Sequence, residues 1–459
     1  MRKVFDDYRV LSDETLKPDA PRVEKFLQAM GKSLRQRDNW TFWLPYTLSL
    51  DTCMKCGTCA EVCPVYLASG RKDIYHPVYR SDMLRKVYKR YFTLAGRFFP
   101  GLVGAEDLTE DKLNAMAENI YRCTICRRCA YVCPVAIDNG LIAREARKIF
   151  DAIDIAPDEL KKNGTRKQVR LGNATGMPAN AFFDMIEFLE EEIEDTRGYK
   201  IKIPVDKQGA EYLLVHNAGD YLAFAETVMG AAEVMNAAGV DWTLNSPETG
   251  LNDAVNYGVF YSDTEFASVA RAHIETAKKL GIKTFVVGEC GHAFEALKYL
   301  ILRLVPPEER PFEVKSILEL EDQWIREGRI KVDPQKNPEP VTYHDSCKLG
   351  RLGGLYEEPR RILKACCTDF REMTPNREMS ICCGGGSGFA IMDKGDFLKF
   401  RMETYGKLKA EQLKATGASI VALACSNCKG QFREIINYYK LPVRFMGVSE
   451  LVANALVYN

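Results

Sequence analysis

Apolar and polar positions change their spacing twice along the chain. Up to about residue 50 the sequence is polar and helix-prone, and it closes on an aromatic run, Trp40-Thr41-Phe42-Trp43-Leu44-Pro45-Tyr46. We read residues 1–50 as an N-terminal arm or docking segment. From 51 to 150 apolar residues recur at three- and four-residue intervals, as in Met83-Leu84-Arg85-Lys86-Val87-Tyr88, which predicts a mainly α-helical domain. Residues 151–205 form a charged connector, broken at Asn163-Gly164 and Gly172-Asn173, with an acidic helix over 182–195. Beyond it, short apolar runs at Tyr212–Val215, Thr284–Val287, 340–343 and Ile420–Leu423 alternate with amphipathic stretches over 266–280 and 397–416. A parallel sheet covered by helices is the expected result.

This second half repeats itself. Val215-His216-Asn217-Ala218-Gly219 is similar to Tyr343-His344-Asp345-Ser346-Cys347. Each copy is followed, after a helical stretch, by a strand ending in cysteine: Val286-Val287-Gly288-Glu289-Cys290 and Ala422-Leu423-Ala424-Cys425. Two duplicated lobes, 206–335 and 336–459, account for the pattern. Only the second keeps its cysteines, since Gly219 and Ala293 stand where Cys347 and Cys428 stand, and nothing in the first matches Cys382-Cys383.

Composition narrows the class. A chain of 459 residues allows about three domains. Lys+Arg and Asp+Glu balance at 63 each, which leaves no basic surplus for a nucleic-acid partner. No apolar run approaches the ~18 residues of a membrane span. The first residues turn acidic before any apolar segment forms, so a reducing, cytoplasmic location is expected. In such a compartment, sixteen cysteines are metal ligands or redox thiols rather than a disulfide framework.

Their spacing carries the chemistry. Cys53-x2-Cys56-x2-Cys59-x3-Cys63-Pro64 and Cys123-x2-Cys126-x2-Cys129-x3-Cys133-Pro134 both fit the bacterial two-cluster run, in which the fourth cysteine crosses to the other cluster. One cubane [4Fe–4S] cluster is then expected on Cys53, Cys56, Cys59 and Cys133, and a second on Cys123, Cys126, Cys129 and Cys63. Zinc is the competing reading, but zinc sites close with four ligands in two spaced pairs. The 59 residues between the groups favour a helical ferredoxin domain over the compact β type. A separate set, Cys347, Cys382-Cys383-Gly384 and Cys425-x2-Cys428, falls at strand ends and at a glycine-rich turn, where ligands gather in open α/β sheets. Five buried structural thiols are the plainer alternative. The fold class is therefore α+β and multidomain: a helical ferredoxin domain followed by two duplicated α/β lobes.

The spacing C-xn-C-C-G-xm-C-x2-C, read with the ferredoxin groups, resembles the cysteine-rich (CCG) domain family. That family includes the B-type and D-type polypeptides of heterodisulfide reductase, and the cytoplasmic iron–sulfur subunits of sulfate-reducer transmembrane redox complexes (Dsr, Tmc and high-molecular-weight cytochrome types). The resemblance runs from about residue 50 to the C-terminus. It implies that Cys347, Cys382, Cys383, Cys425 and Cys428 hold a noncubane [4Fe–4S] cluster at which a heterodisulfide, or the disulfide of a DsrC-like sulfur carrier, is reduced. It also implies integral membrane partner subunits with multihaem cytochrome c, and a position on the inner face of the cytoplasmic membrane. The first lobe departs from doubly cysteine-rich members, so one such cluster is expected. His344 and His292 are the imidazoles placed in sequence to supply protons near neutrality, against a plain structural role. Cys290 is expected near the cluster without ligating it, and Cys366 and Cys367 are read as structural. The basic aromatic stretch 71–97 either faces anionic lipid or a membrane subunit or is a solvated helix face. With no flavin or nicotinamide fingerprint, electrons must come from a partner. The alternative function is an iron–sulfur relay for a flavoprotein dehydrogenase acting on glycolate, lactate or glycerol 3-phosphate; a zinc-binding scaffold is the other.

Overall fold

The computed structural model describes residues 16–34, 43–301 and 312–458, so much of the expected N-terminal arm, 1–15 and 35–42, lies outside them. The chain forms two compact units, and each is described by itself. The first is helical, as expected. Its longer helices are α1 (Arg22–Ser33), α2 (Pro77–Phe92), α3 (Glu110–Tyr121) and α4 (Asn139–Ala152). It also takes in the separate stretches Tyr257–Ala267 and Gly386–Leu408.

Helix α4 is the axis of this unit. Its backbone starts at Asp138, whose carboxylate accepts the Leu141 N–H at 2.9 Å, satisfying one orphan donor of the first turn. Ile142, Ala146, Ile149 and Phe150, spaced for one helical face, enter the core. The part of the expected arm that is described is built into this core: Phe26, Ala29 and Met30 of α1 are buried, and Phe26 meets Phe150 at 5.3 Å. Its polar residues occupy the outer face, which is why the segment reads as an arm in sequence.

The polar face of α4 is buried too. Arg144, Glu145 and Lys148 meet Asp263 in a network with nearly no solvent access. Burial alone would raise the Asp263 carboxyl, but Arg144 and Lys148 outweigh it and hold it down to about 2.

The second unit contains two parallel sheets. In the first, β1 (Tyr212–Val215), β2 (Trp242–Thr243), β3 (Thr284–Val287) and β4 (Glu313–Ser316) lie in the order β2-β1-β3-β4. In the second, β5 (Val341–Tyr343), β6 (Phe370–Glu372), β7 (Ile420–Leu423) and β8 (Arg444–Gly447) lie in the order β6-β5-β7-β8. The orders are the same, and every pairing is parallel. The duplication read from sequence is present as a duplicated topology. The flanking helices include α5 (Ala179–Arg197), α6 (Ala225–Ala237), α7 (Asp263–Leu280), α8 (Ile317–Arg326), α9 (Glu357–Cys366), α10 (Lys407–Thr416), α11 (Ser426–Tyr439) and α12 (Val448–Ala455). Among the described residues, no helix is long and apolar enough to cross a membrane.

Removing one partner of a buried charge network strands the others without water, at a cost of about 3–5 kcal/mol. Asp263→Ala should lower the unfolding free energy by that order in urea titrations at neutral pH. Because the folded-state pKa of Asp263 is depressed, the stability it contributes should be present above pH ~4 and lost as pH falls towards 2.

Candidate functional site: two groups of converging cysteines

In the first unit the two ferredoxin-type groups adopt matching backbone turns. Lys55 and Gly57 in one, and Ile125 and Arg127 in the other, all have positive φ, at 55°, 83°, 51° and 60°. A β-branched residue such as Ile125 resists that conformation, so the surrounding structure must hold it there. The turns point amides at sulfurs: Ile125 N–H lies 3.4 Å from Cys123 Sγ and Ile137 N–H 3.2 Å from Cys133 Sγ. Burial pushes Cys59 up to about 12, and the nearby sulfurs of Cys53, Cys63, Cys133 and Cys56 add to it. Cys63 is raised to about 11 by burial, against the Arg80 guanidinium, and senses Cys126 and Cys123. Cys129, also raised by burial, senses Cys126, Cys123 and Cys63. Cys133 thus acts on the first group and Cys63 on the second. Eight free thiols repelling one another around amide-lined turns are the donor set an iron–sulfur cluster requires.

The second unit sets Cys347, Cys425 and Cys428 beyond the carboxyl ends of the two central strands of its second sheet, β5 and β7, where the strand order reverses. His344 follows β5 directly, and Cys347 sits three residues later, buried at the head of a single π-turn, Lys348–Leu352. Cys425 follows β7 by two residues and caps α11, whose first turn carries Cys428. The Cys382-Cys383-Gly384-Gly385 loop is pressed against that turn. A Cβ on Gly385 would lie 2.4 Å from the Asn427 carbonyl oxygen, so only glycine fits. Gly384 beside it has φ 93°.

This approach brings Cys383 Sγ to 3.4 Å from Cys428 Sγ, and a His344 ring nitrogen falls within 4.8 Å of both sulfurs. The Gly384 and Gly385 amides each lie 3.4 Å from a sulfur, of Cys382 and Cys383 respectively. Cys382 and Cys428 hydrogen-bond the Cys383 sulfur and hold its thiol well below the usual range. Cys428 favours the Cys425 thiolate likewise, against burial, and with the Gly291 amide brings it to about 6. The turn headed by Cys347 is tied to the Cys382 loop: Arg351 Nη1, on that turn, donates to the carbonyls of Glu378 (3.0 Å) and Ser380 (2.9 Å), just before Cys382. Asp345 forms a bidentate pair with Arg360, at 2.8 and 2.9 Å, and accepts the Arg377 N–H.

Cys290 occupies the position in the first lobe that Cys425 occupies in the second. It is wholly buried, and its thiol is raised by burial and by the charge of Cys425. His292 accepts from the Asn427 amide at 2.7 Å. The expectation that the imidazoles titrate near neutrality is not met. Burial and Lys348 hold His292 down to about 3, and burial and Lys409 lower His344 against the opposing Cys383 sulfur. Cys366 and Cys367 lie elsewhere, buried at the end of α9 with sulfurs 3.7 Å apart.

Sequence reading missed Lys409 of α10. It is fully buried, pulled down to about 8 by burial against the opposing charges of Cys383 and Cys382. A fixed cation beside several thiolates offsets their mutual repulsion in a place with little water. Only its position on the inward face of a helix marks it, and that signal is weak in sequence.

Residues 49–137 match a 4Fe-4S dicluster domain, and residues 341–433 match a Cysteine-rich domain. The chain thus carries one stretch similar to an iron–sulfur dicluster domain and one similar to a cysteine-rich domain. It is similar to the Hdr-like menaquinol oxidoreductase iron-sulfur subunit 2 of Archaeoglobus fulgidus, 29% identical over 95% of this chain and 83% of the relative. The D-type polypeptide of the dihydromethanophenazine:CoB–CoM heterodisulfide reductase of Methanosarcina mazei is 28% identical over 93% of this chain and 99% of its own length. The EtfAB:quinone oxidoreductase of Syntrophomonas wolfei is 25% identical over 83% of this chain, which covers 54% of that protein. The resemblance read from the cysteine spacing is thus found over most of the chain.

Gly385→Ala should force the loop off α11 and destabilise the second unit by about 1–3 kcal/mol, the usual effect of overpacking. Gly430→Ala, on α11 with open space around it, should be neutral or stabilise by up to ~1 kcal/mol. Thermal unfolding of both variants checks the contrast.

Proposed function

We propose that this chain is the iron–sulfur subunit of a membrane-bound electron-transfer complex that reduces a disulfide. The observation that supports it is the convergence of Cys382, Cys383, Cys425 and Cys428 on one buried point, with the turn that Cys347 heads tied through Arg351 to the same loop. In this reading Cys53, Cys56, Cys59 and Cys133 hold one cubane [4Fe–4S] cluster, and Cys123, Cys126, Cys129 and Cys63 hold another. Cys347, Cys382, Cys383, Cys425 and Cys428 hold a noncubane [4Fe–4S] cluster. Such a centre, when bound, supplies single-electron steps to an acceptor that needs two. The chain's own part is to favour the Cys383 and Cys425 thiolates, to aim the Gly384, Gly385 and Gly291 amides at the sulfurs, to balance their charge with Lys409, and to exclude water by burial.

The substrate is a heterodisulfide or the disulfide of a DsrC-like carrier. Partners are integral membrane subunits, with multihaem cytochrome c as the electron route, at the inner face of the cytoplasmic membrane. The names of the Archaeoglobus and Methanosarcina relatives support membrane-linked chemistry. A second reading, in which the chain relays electrons between a flavoprotein and a quinone, is favoured by the likeness to the EtfAB:quinone oxidoreductase.

Anaerobically purified protein should contain about twelve irons per chain, as three four-iron clusters require. Cys383→Ser should remove about a third of them. Electron paramagnetic resonance of oxidised protein, with and without the heterodisulfide of coenzymes M and B, should show a substrate-dependent signal that this variant lacks. Twelve irons with no such signal would leave the relay reading standing and end the disulfide one.

A further inference from the structure

Cleaving a disulfide takes up protons as well as electrons. The S–S bond breaks, two S–H bonds form, and two electrons arrive singly from the reduced partner while two protons come from water. Within the second unit a set of carboxyl groups leads from the surface to the cysteine site.

It begins at a cleft of about 400 Å³ whose lining includes Arg197, Glu226, Glu233 and Glu450. Glu450, in the first turn of α12, accepts the Gly447 N–H at 3.0 Å. Gly447 has no side chain to separate this group from the next: a Cβ there would lie 2.9 Å from Glu289 Oε2 and 3.3 Å from Lys429 Nζ. Glu289 is buried, pairs with Lys429 and accepts the Ser449 N–H at 2.8 Å. Its backbone carbonyl accepts the Ser426 N–H at 2.9 Å, and the Ser426 hydroxyl donates to Asp220 Oδ2 at 2.8 Å. Asp220 is fully buried, and its Oδ1 has no hydrogen-bond partner. Ser426 adjoins Cys425 in the chain.

We infer that Glu450 and Asp220 are the proton-exchanging carboxyls of a polar line, with Glu289, Lys429 and Ser426 between them, from this cleft to the cysteine site. The inference rests on the disulfide chemistry proposed above. A purely structural ion pair would be balanced, and this group is not. Lys429 of α11 is a single cation facing Glu289, Asp220, Glu450 and, from α8, Glu321. Thr227 and Glu226 of α6 complete the surroundings, with Cys425, Cys290, Tyr221 and Asp253 on the inner side. One cation cannot neutralise three buried carboxylates and a fourth, Glu450, at the cleft, so protons must reside among them at neutral pH. Burial raises Asp220 to about 7 against Lys429 and Ser426, and raises Glu450 to about 7 against the Gly447 amide and Lys429. Groups half-protonated at working pH exchange protons in both directions most readily.

The test compares the whole protein with Asp220→Asn, and with Glu450→Gln at the cleft, which keeps folding and relay apart. Infrared difference spectra of dithionite-reduced minus oxidised protein should show a carboxylic-acid carbonyl band titrating near neutrality. That band should shift or vanish in each variant. With reduced viologen and the coenzyme M–coenzyme B heterodisulfide, turnover should fall at least ~10-fold in both, with a changed pH profile and a larger solvent deuterium isotope effect. Asp220→Glu should restore part of the rate. Unchanged infrared bands and pH profiles in both variants would overturn the proton line. If the wild type shows the band but reduces no disulfide, the line stands and the disulfide reading falls.

Discussion

The contact between the Gly385 backbone and the Asn427 carbonyl decides where the second group of sulfurs sits. A loop carrying two adjacent cysteines can approach the first turn of a helix carrying two more only if nothing stands between them. The missing side chain closes that distance. Once closed, the thiols repel one another as charges, and the rest of the site answers that repulsion: amides of Gly384, Gly385 and Gly291, the buried ammonium of Lys409, and the Asp345–Arg360 pair that fixes the strand end. The site lies where the strand order reverses, since the connections that follow the paired strands β5 and β7 lead in opposite directions along the sheet and leave a crevice between them.

The legible parts of the fold were the ones buried on both faces. The four strands read from sequence, at 212–215, 284–287, 340–343 and 420–423, are β1, β3, β5 and β7, the two central strands of each sheet. The four that were not read are the edges. Glu313-Val314-Lys315-Ser316 and Phe370-Arg371-Glu372 mix polar and apolar residues because one side meets solvent, and Trp242–Thr243 is too short to show a period. The helix read over 397–416 is present but interrupted by a π-turn at Met402–Gly406, which no spacing signals. Likewise α1 hid its core role, because only three apolar side chains of its twelve residues are buried.

The site was legible to the extent that its chemistry sits in local spacing. Cysteines two or three residues apart declare themselves, whereas Lys409 and Asp220 act from residues far off in sequence and carry no local mark. The histidines show the opposite failure. His344 and His292 lie next to the cysteines in sequence, yet burial lowers both rings, and sequence position does not report that burial.

The first unit is assembled from 1–161, 257–267 and 386–408. Its last strip carries Tyr405 and Ser387, whose hydroxyls contact Thr124 beside Cys123. During synthesis, at ~5–20 residues per second, that strip emerges ~10–50 s after residue 161. The helical unit therefore cannot be completed until the strip at 386–408 has been made, although its cysteines lie within the first 133 residues of the chain.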